Sequence, residues 1–219
     1  MSDRDQMLLE IEREAIYTRH LTGRSSFAPA VMAAMKAVQR HCFVPSASLD
    51  QAYYNGPLSI GYSQTISQPY IVALMTDLLD TGPNDVILEV GTGSGYQAAV
   101  LSQLVRWVYT LEIIEPLSKQ ALRLLDQLGY DNVTCRVGDG HDGWPEEAPF
   151  DGIIVTAAAA DIPPALVEQL KVGAKLVIPV GTPYGYQQLM VVERGASGVV
   201  TQRDILGVAF VPLTGGGGV

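Results

Sequence analysis

The 219-residue sequence is poor in cysteine and in basic residues, and each scarcity excludes a class of protein. Its two cysteines, Cys42 and Cys135, lie far apart and predict neither a disulfide framework nor a metal site. Lysine and arginine total 14 against 23 aspartates and glutamates, and the formal net charge of -9 argues against binding to nucleic acid or an anionic membrane surface. No apolar run approaches the roughly 18 residues of a membrane span, and the first residues lack a signal-peptide pattern. We therefore expect a cytoplasmic protein with free thiols.

The central part of the chain has the pattern of an α/β protein. From residue 85 onward, short apolar runs alternate with helical stretches, which indicates βαβ units and a parallel sheet. Two later strand patterns flank Gly195–Gly198, and this hairpin signal predicts antiparallel strands at the sheet edge. Helical spacing over 6–22 and 29–38 predicts an N-terminal helical extension. Strands are expected at 85–90, 107–111, 133–137, 152–156, 175–180, 187–193 and 199–211, with helices from Pro69 and at 96–104, 116–128 and 164–170.

These elements predict a Rossmann-like, doubly wound, mostly parallel sheet within a single domain, residues 1–219. The segment 43–68 is rich in turn residues and hydroxyls and is too long for a plain connector, so we expect a functional loop. The predicted parts are N-terminal helices with a substrate loop (1–80), a cofactor-binding core (81–181), C-terminal edge strands (182–213) and a flexible glycine-rich tail (214–219).

A glycine-rich loop, Gly91-Thr92-Gly93-Ser94-Gly95, follows the strand at 85–90 and opens a helix. Glycines at such a turn let the backbone approach a ligand closely, although a tight turn without a ligand has the same sequence. Its Gly-x-Gly-x-Gly spacing differs from the Gly-x-Gly-x-x-Gly that seats a pyrophosphate, and it lacks the Gly-Lys-Ser/Thr ending of a P-loop. The spacing therefore argues against a nicotinamide-dependent oxidoreductase.

Acidic side chains surround the loop in sequence. Glu112 ends the next strand, where its carboxylate can accept hydrogen bonds from both ribose hydroxyls of an adenosine ligand, or can be a plain surface acid. Asp139, which precedes Gly140 in a Gly-Asp-Gly turn, can reach an adenine amino group or simply form the turn. Thr156 follows the fourth strand at the carboxyl edge, where ligands bind in such sheets. Glu89, just ahead of the loop, would repel a phosphate and suits a cationic ligand.

S-Adenosylmethionine carries a sulfonium and an ammonium group, so it matches this acidic setting. The run from Val86 to Gly95, with the later Glu112, resembles the first and second motifs of class I S-adenosylmethionine-dependent methyltransferases. The cofactor residues expected on this basis are Glu89, Gly91, Thr92, Gly93, Ser94, Gly95, Glu112, Asp139, Gly140 and Thr156.

Nearly the whole chain, from about residue 28 to 213, resembles the protein-L-isoaspartate O-methyltransferase family. The most family-specific segment is Gln64-Thr65-Ile66-Ser67-Gln68-Pro69, and Phe43-Val44-Pro45, Leu176–Gly181 and Phe210–Leu213 also match. The resemblance implies methylation of the free α-carboxylate of L-isoaspartyl or D-aspartyl residues in damaged proteins and peptides. The resulting ester would start repair through a succinimide. The resemblance also implies that Pro179 and Val180 offer backbone groups to the substrate peptide.

Ser67 is the expected catalytic residue, with Gln64, Thr65 and Ile66 beside it in the substrate site. A carboxylate acceptor is already ionised at neutral pH, so the site has to align the reacting atoms rather than supply a strong base. A serine two residues before the helix-opening Pro69 is also a good N-cap, and capping alone would explain Ser67.

Several positions depart from the family pattern, among them Gln39, Ser63 and His141. Ser63 stands where glycine is common, and its side chain is expected to narrow the pocket or add a hydroxyl contact. His141 replaces a more usual aromatic residue and is either a contact to the adenine region or an exposed surface residue. Alternative functions are a related carboxyl methyltransferase with a dedicated peptide or small-molecule acceptor, and a non-catalytic S-adenosylmethionine-binding module. No pattern predicts a metal or assigns an oligomeric state.

Overall fold

The computed structural model describes residues 2–216, which form helices packed on a seven-stranded sheet and a separate small hairpin. Along the chain, the two strands of the hairpin come before the first strand of the large sheet. In chain order they are α1 (Asp3–Thr22), α2 (Pro29–Ala37), β1 (Leu58–Gly61), β2 (Gln64–Ile66), α3 (Pro69–Leu79), β3 (Val86–Val90), α4 (Tyr96–Ser102), β4 (Trp107–Glu112), α5 (Glu115–Gln127), β5 (Val133–Val137), β6 (Phe150–Val155), α6 (Pro164–Glu168), β7 (Leu170–Gly181), β8 (Gln187–Arg194) and β9 (Val200–Val208).

The strand order of the large sheet is β5-β4-β3-β6-β7-β8-β9. The first five strands in that order are parallel, and β8 is antiparallel to both β7 and β9. This confirms the predicted Rossmann-like sheet with antiparallel C-terminal strands. Because β3 pairs with both β4 and β6, the order of the strands reverses on either side of β3, and a crevice opens at their carboxyl ends.

Alternate side chains of the central strands enter two separate hydrophobic cores. Ile87 and Ile154 pack with the N-terminal helices and with α3 and α4, whereas Leu88 and Ile153 pack with Trp144 and α6. Side chains of a strand point alternately to its two faces, so the sheet is buried on both sides. This explains why its strands are continuous apolar runs in the sequence.

The helix α1 is well specified by its ends. Ser2 and Asp5 form a reciprocal capping box at its start, and Gly23 closes it with a φ of 70°. Met7, Ile11 and Ala15 are buried against the first core, which brings the intervening Glu14 to the same side of the molecule as α3. No helix within residues 2–216 has both the length and the apolar character required to cross a membrane.

The segment 43–68 is more ordered than the predicted loop. Two 3-10 turns, Arg40–Phe43 and Ser46–Gln51, precede the β1–β2 hairpin. The buried Arg40 guanidinium lies 4.9 Å from the centre of the Tyr96 ring and donates hydrogen bonds to the carbonyls of Ala52 (2.9 Å) and Gly56 (3.3 Å). The segment is therefore attached to α4, the helix that the glycine-rich loop opens.

The turn of this hairpin contains Ser63, which stands where glycine is common in the family. Tyr62 and Ser63 have φ values of 52° and 58°. They are the two central residues of the turn, between the paired Gly61 and Gln64. This is the geometry of a two-residue type I′ turn, in which glycine is favoured because side chains disfavour positive φ. Ser63 is exposed and lines none of the cavities at the candidate site. The prediction that the Ser63 side chain narrows the pocket or contacts a substrate is therefore wrong. The consequence of serine at this position is instead an unfavourable backbone conformation with positive φ.

The C-terminal elements differ from the predicted boundaries. Leu170 pairs with Phe150, so β7 begins at Leu170 and the preceding helix α6 ends at Glu168. At the other end, β9 stops at Val208 rather than at Val211. The buried Gln187 side chain accepts from the Phe210 amide (2.6 Å) and donates to the Phe210 carbonyl (3.0 Å). This directs the following residues away from β9 and toward the carboxyl ends of β3 and β6.

Candidate active site

The glycine-rich loop connects β3 to α4 at the carboxyl edge of the sheet, as the sequence predicts. The amides of Gly91 and Thr92 both donate to the carbonyl of Leu111 (2.8 and 3.0 Å), which attaches the loop to β4. Gly91 has a φ of 99°, and a Cβ there would lie 2.3 Å from the Thr156 hydroxyl oxygen. A side chain at this position would therefore strain the backbone and collide with Thr156.

Thr156 lies where the sequence places it, directly after β6, and lines the crevice. Its hydroxyl donates to the Gly91 carbonyl at 2.6 Å and approaches the Val90 carbonyl at 3.1 Å. These contacts hold the glycine-rich loop against β6. Thr156 thus shapes the crevice by fixing the loop, a function that its position after a strand does not by itself reveal.

The carboxylate of Glu112 is the acidic group that the structure brings to the crevice. One oxygen accepts from the amide of Gly93 (2.8 Å) and the other accepts from the amide of Ile114 (2.9 Å). The side chain is buried, yet it forms part of the crevice lining. Each carboxylate oxygen has a second lone pair, so Glu112 can fix the loop and still accept hydrogen bonds from a ligand.

Glu89 occupies a different environment from the one expected. It is completely buried, lines none of the cavities at the site, and accepts a hydrogen bond from Thr110 at 2.5 Å. The Thr110 hydroxyl is in turn 2.6 Å from the hydroxyl of Thr92. These contacts connect the glycine-rich loop to β4 and to the buried end of β3. Burial raises the pKa of Glu89 to about 8. The carboxyl is largely neutral at pH 7, so the expected repulsion of a phosphate does not arise from Glu89.

The pKa of Glu89 predicts how stability depends on pH. Because the pKa is higher in the folded chain than its ordinary value of 4.5, the folded state binds the extra proton between those two values. The free energy of unfolding therefore falls as pH rises from about 4.5 to 8, by at most about 1.4 kcal/mol per pH unit from this group. Glu89→Gln removes this dependence. Urea unfolding at several pH values should show that the free energy of unfolding of Glu89→Gln depends less on pH than that of the wild type. The exposed control Glu12→Gln should keep the pH dependence of the wild type. An unchanged pH dependence in Glu89→Gln would contradict the prediction.

Asp139 reaches the same edge of the sheet, but its carboxylate is already engaged. It accepts from the amide and the ring Nδ1 of His141, both at 2.9 Å, and from the amide of Gly216 at 2.5 Å. Burial works against ionisation, but these donors lower the pKa of Asp139 below its usual value. An adenine amino group would compete with these contacts. His141 is thus a partner of Asp139 and not an isolated surface histidine.

The C-terminal segment 209–216 forms one wall of the crevice. Ala158 donates to the carbonyl of Val211 (2.8 Å) and accepts from the amide of Leu213 (2.8 Å), and Thr214 lines the crevice. Residues 214–216, the start of the predicted flexible tail, therefore contact the site, and the flexibility of 214–219 stays a prediction. Residues 217–219 lie outside the described part of the chain.

A groove of about 570 Å³ adjoins the crevice and contains the family-specific segment. Thr65 and Ser67 line this groove and also the cavity beside the glycine-rich loop. The two side chains therefore lie where the groove meets the cavity beside the glycine-rich loop, and Thr65 also lines the crevice. The remaining wall of the groove comes mainly from α1, α3, β9 and the turn before β8, namely Glu14, Pro57, Gln68, Tyr70, Ile71, Gly185, Tyr186, Gln187, Leu206, Gly207, Val208, Ala209 and Phe210.

The structure separates the two interpretations of Ser67. The N-cap of α3 is Gln68, and no side chain makes a capping hydrogen bond there. Among residues 2–216 the Ser67 hydroxyl has no protein hydrogen-bond partner at the helix start. The capping interpretation is therefore wrong, and the hydroxyl is available to a ligand at the junction.

The other expected substrate residues divide into two groups. Gln64 lines the crevice, and Ile66 is buried beside the glycine-rich loop. Pro179 and Val180 are not among the residues that line the groove. The Pro179 carbonyl accepts from the amide of Ala159 at 3.0 Å, and Val180 pairs with Gln188. Their backbone contacts to a substrate stay a prediction.

The lining of the crevice fits an adenosine ligand. Gly140 would place a Cβ 2.3 Å from Val90 and, like Gly91, must remain without a side chain. Leu111, Ile113 and Leu213 supply apolar walls suited to a purine, and Glu112 supplies hydrogen-bond acceptors. Within residues 2–216, no cluster of three or more His, Cys, Asp or Glu side chains has the arrangement of a metal site.

Comparison with known proteins agrees with this geometry. The family model for protein-L-isoaspartate(D-aspartate) O-methyltransferase (PCMT) matches residues 11–218. The chain is 58% identical over 213 residues to protein-L-isoaspartate O-methyltransferase 2 of Syntrophobacter fumaroxidans, covering 97% of this chain and 86% of that protein. It is 58% identical over 209 residues to the enzyme of the same name from Polaromonas sp., covering 95% and 99%. A Plasmodium falciparum structure in complex with S-adenosyl-L-homocysteine has the same fold, with a TM-score of 0.79, 24% identity, and 98% and 99% coverage.

Proposed function

The chain belongs to the protein-L-isoaspartate(D-aspartate) O-methyltransferase family, and from this premise we propose how its residues carry out the reaction. The reaction is methyl transfer from S-adenosylmethionine to the free α-carboxylate of L-isoaspartyl or D-aspartyl residues in damaged proteins and peptides. Family membership excludes an oxidoreductase and argues against a non-catalytic module. The observation that carries the assignment of residues is the position of Ser67 and Thr65, which line both the acceptor groove and the cavity at the glycine-rich loop.

The crevice residues hold the cofactor in this proposal. The backbone of Gly91 and Gly93 lies against it, Glu112 accepts its ribose hydroxyls, and Leu111, Ile113 and Leu213 enclose its base. When bound, S-adenosylmethionine supplies a methyl group on a positively charged sulfur. Thr156, which also lines the crevice, and the Thr92–Thr110–Glu89 contacts fix the position of the loop against which the cofactor lies.

Ser67 holds the acceptor. Its hydroxyl donates a hydrogen bond to one oxygen of the substrate carboxylate, and the other oxygen is then directed into the crevice. Thr65 supplies a second hydroxyl on the same side. No general base is required, because a carboxylate is the reactive form at neutral pH. Ser67 therefore contributes by orientation, which shortens the path between oxygen and methyl carbon.

The apolar walls of the groove exclude water from the reacting atoms. Ile71, Leu206 and Phe210 line the same groove as Thr65 and Ser67. The reaction brings an anion and a cation together and forms neutral products, so charge disappears as it proceeds. A less polar environment favours such a loss of charge relative to water.

A methyl-transfer assay tests the assignment of substrate. The protein is incubated with labelled S-adenosylmethionine and two peptides that differ only in an aspartyl or an isoaspartyl linkage. We expect base-labile label on the isoaspartyl peptide alone, because only that linkage presents a free α-carboxylate beside the extended backbone. Equal labelling of both peptides, or no labelling despite measurable cofactor binding, would contradict the proposal and favour a dedicated acceptor.

We also propose that the protein acts in the cytoplasm and does not bind nucleic acid. Cys42 and Cys135 are both free, as is usual where thiols are kept reduced. The formal net charge of -9 disfavours contact with a polyanion.

A further inference from the structure

We propose that Glu14 is a specificity-determining residue that favours substrates carrying a lysine or arginine close to the isoaspartyl residue. The inference rests on the proposed function, since it assigns an additional subsite to the same acceptor groove. Glu14 belongs to α1, in the N-terminal helical extension. No motif at the candidate site includes it.

Among the described residues that line the groove, Glu14 is the one with a charged side chain. Apart from its carboxylate, the lining consists of hydroxyl, amide and apolar groups, with Thr65 and Ser67 at the junction and Leu206 and Phe210 opposite. An isoaspartyl peptide in this groove would thus meet one negative charge besides its own acceptor carboxylate. A basic side chain nearby would be attracted to Glu14, and an acidic side chain would be repelled.

A network of neutral amides fixes the position of the Glu14 carboxylate. Asn55 Nδ2 donates to Oε2 at 2.8 Å, and Gln68 Nε2 donates to the same oxygen at 3.0 Å and lies 3.3 Å from Oε1. Asn55 is itself held, because its Oδ1 accepts from the amide of Tyr70 at 3.0 Å. The carboxylate is therefore preorganised, while each oxygen can still accept a hydrogen bond from a substrate cation.

The negative charge of Glu14 is not neutralised by a neighbouring cation. None of the six ion pairs found among residues 2–216 includes Glu14. Burial raises the pKa of the Glu14 carboxyl above its usual value, the amides of Asn55 and Gln68 counteract this, and Glu10, one turn earlier on α1, adds negative potential instead of a compensating cation. Glu14 is half-buried, so solvent screens its interaction with a substrate cation less than at an exposed site.

The connection to the acceptor site is short. Gln68, which binds Glu14, is the next residue after Ser67. Consecutive residues of an extended peptide are separated by about 3.8 Å, and a lysine adds the length of a four-carbon stem. A basic residue one or two positions from the isoaspartyl residue can therefore reach Glu14 while the acceptor carboxylate contacts Ser67.

The test compares isoaspartyl peptides that differ in charge at one position. Lysine, glutamine or glutamate is placed in turn one or two residues before or after the isoaspartyl residue, and kcat/KM is measured with full-length protein. We expect lysine to be preferred over glutamate by about tenfold at one or more positions, mainly through KM, and the preference to decrease with added salt. In Glu14→Gln, the ratio should fall to near one at those positions.

The matched control is Glu12→Gln, which removes the same charge from an exposed position on the same helix. It should retain the lysine preference. A ratio near one in the wild type at every position, or an equal loss of kcat/KM for all peptides in Glu14→Gln, would overturn the proposal and leave Glu14 with a structural role. Absence of methylation on every isoaspartyl peptide would instead contradict the proposed function, so the two failures are distinguishable.

Discussion

Replacing Ser67 with alanine is expected to lower kcat about 100-fold and to leave the affinity for S-adenosylmethionine nearly unchanged. The hydroxyl makes no capping contact and lies where the groove meets the cavity beside the glycine-rich loop. A hydrogen bond to a charged group contributes roughly 1.5–3 kcal/mol, which corresponds to a loss of about 10- to 150-fold. Steady-state kinetics with an isoaspartyl peptide, together with calorimetric binding of the cofactor, would measure both quantities.

Ser59→Ala is a matched control for this variant. Ser59 is an exposed residue of β1 in the same hairpin and does not line the groove. We expect Ser59→Ala to retain wild-type kcat. If Ser67→Ala instead kept its turnover and lost about 1 kcal/mol of stability, the hydroxyl would act as a helix cap after all.

Replacing Glu112 with alanine is expected to weaken cofactor binding by 100-fold or more and also to destabilise the fold. Sequence reasoning alone predicts only the first effect. The carboxylate accepts from the amides of Gly93 and Ile114, both of which lose a charged partner in the variant. Leaving two partly buried donors without an acceptor costs about 2–4 kcal/mol in the free energy of unfolding. Urea unfolding and cofactor titration would measure the two effects separately.

Glu112→Gln helps to separate ligand binding from support of the loop. Glutamine keeps one acceptor oxygen, so it should recover part of the stability while the cofactor affinity remains low. Glu115→Gln, an exposed substitution at the start of α5, should leave the cofactor affinity unchanged and lower the free energy of unfolding by less than about 1 kcal/mol, since it removes only a surface ion pair with Lys119. Cofactor affinity unchanged in Glu112→Ala would remove this residue from the binding site.

The parallel sheet could be predicted because its central strands, β3 and β6, are buried on both faces and therefore appear as nearly continuous apolar runs. The hairpin of β1 and β2 was missed for a local reason. Its turn residues, Tyr62 and Ser63, lack the Asn-Gly or Asp-Gly sequence that normally signals a type I′ turn. The alternation in Leu58–Gly61 was the signal that could have revealed a strand.

Outside the family-matching segments 64–69 and 210–213, the residues of the groove could not be found from motifs. Glu14, Tyr186 and Leu206 are far apart in the chain, and the sequence around each is ordinary. They meet because α1 packs on α3 and because the chain turns after β9 toward the carboxyl ends of the parallel strands. Such long-range packing leaves no short-range mark in the sequence.

The sequence by itself determined the sheet, the glycine-rich loop, and the placement of Glu112 and Thr156 at its carboxyl edge, since these depend on local spacing, whereas the role of Ser67 was expected only from the family resemblance. The tertiary structure decided what those groups do. Burial keeps Glu89 largely neutral, and the C-terminal segment engages Asp139. Protonation and hydrogen-bond partners depend on which distant segments surround a side chain, and only the packed chain specifies them.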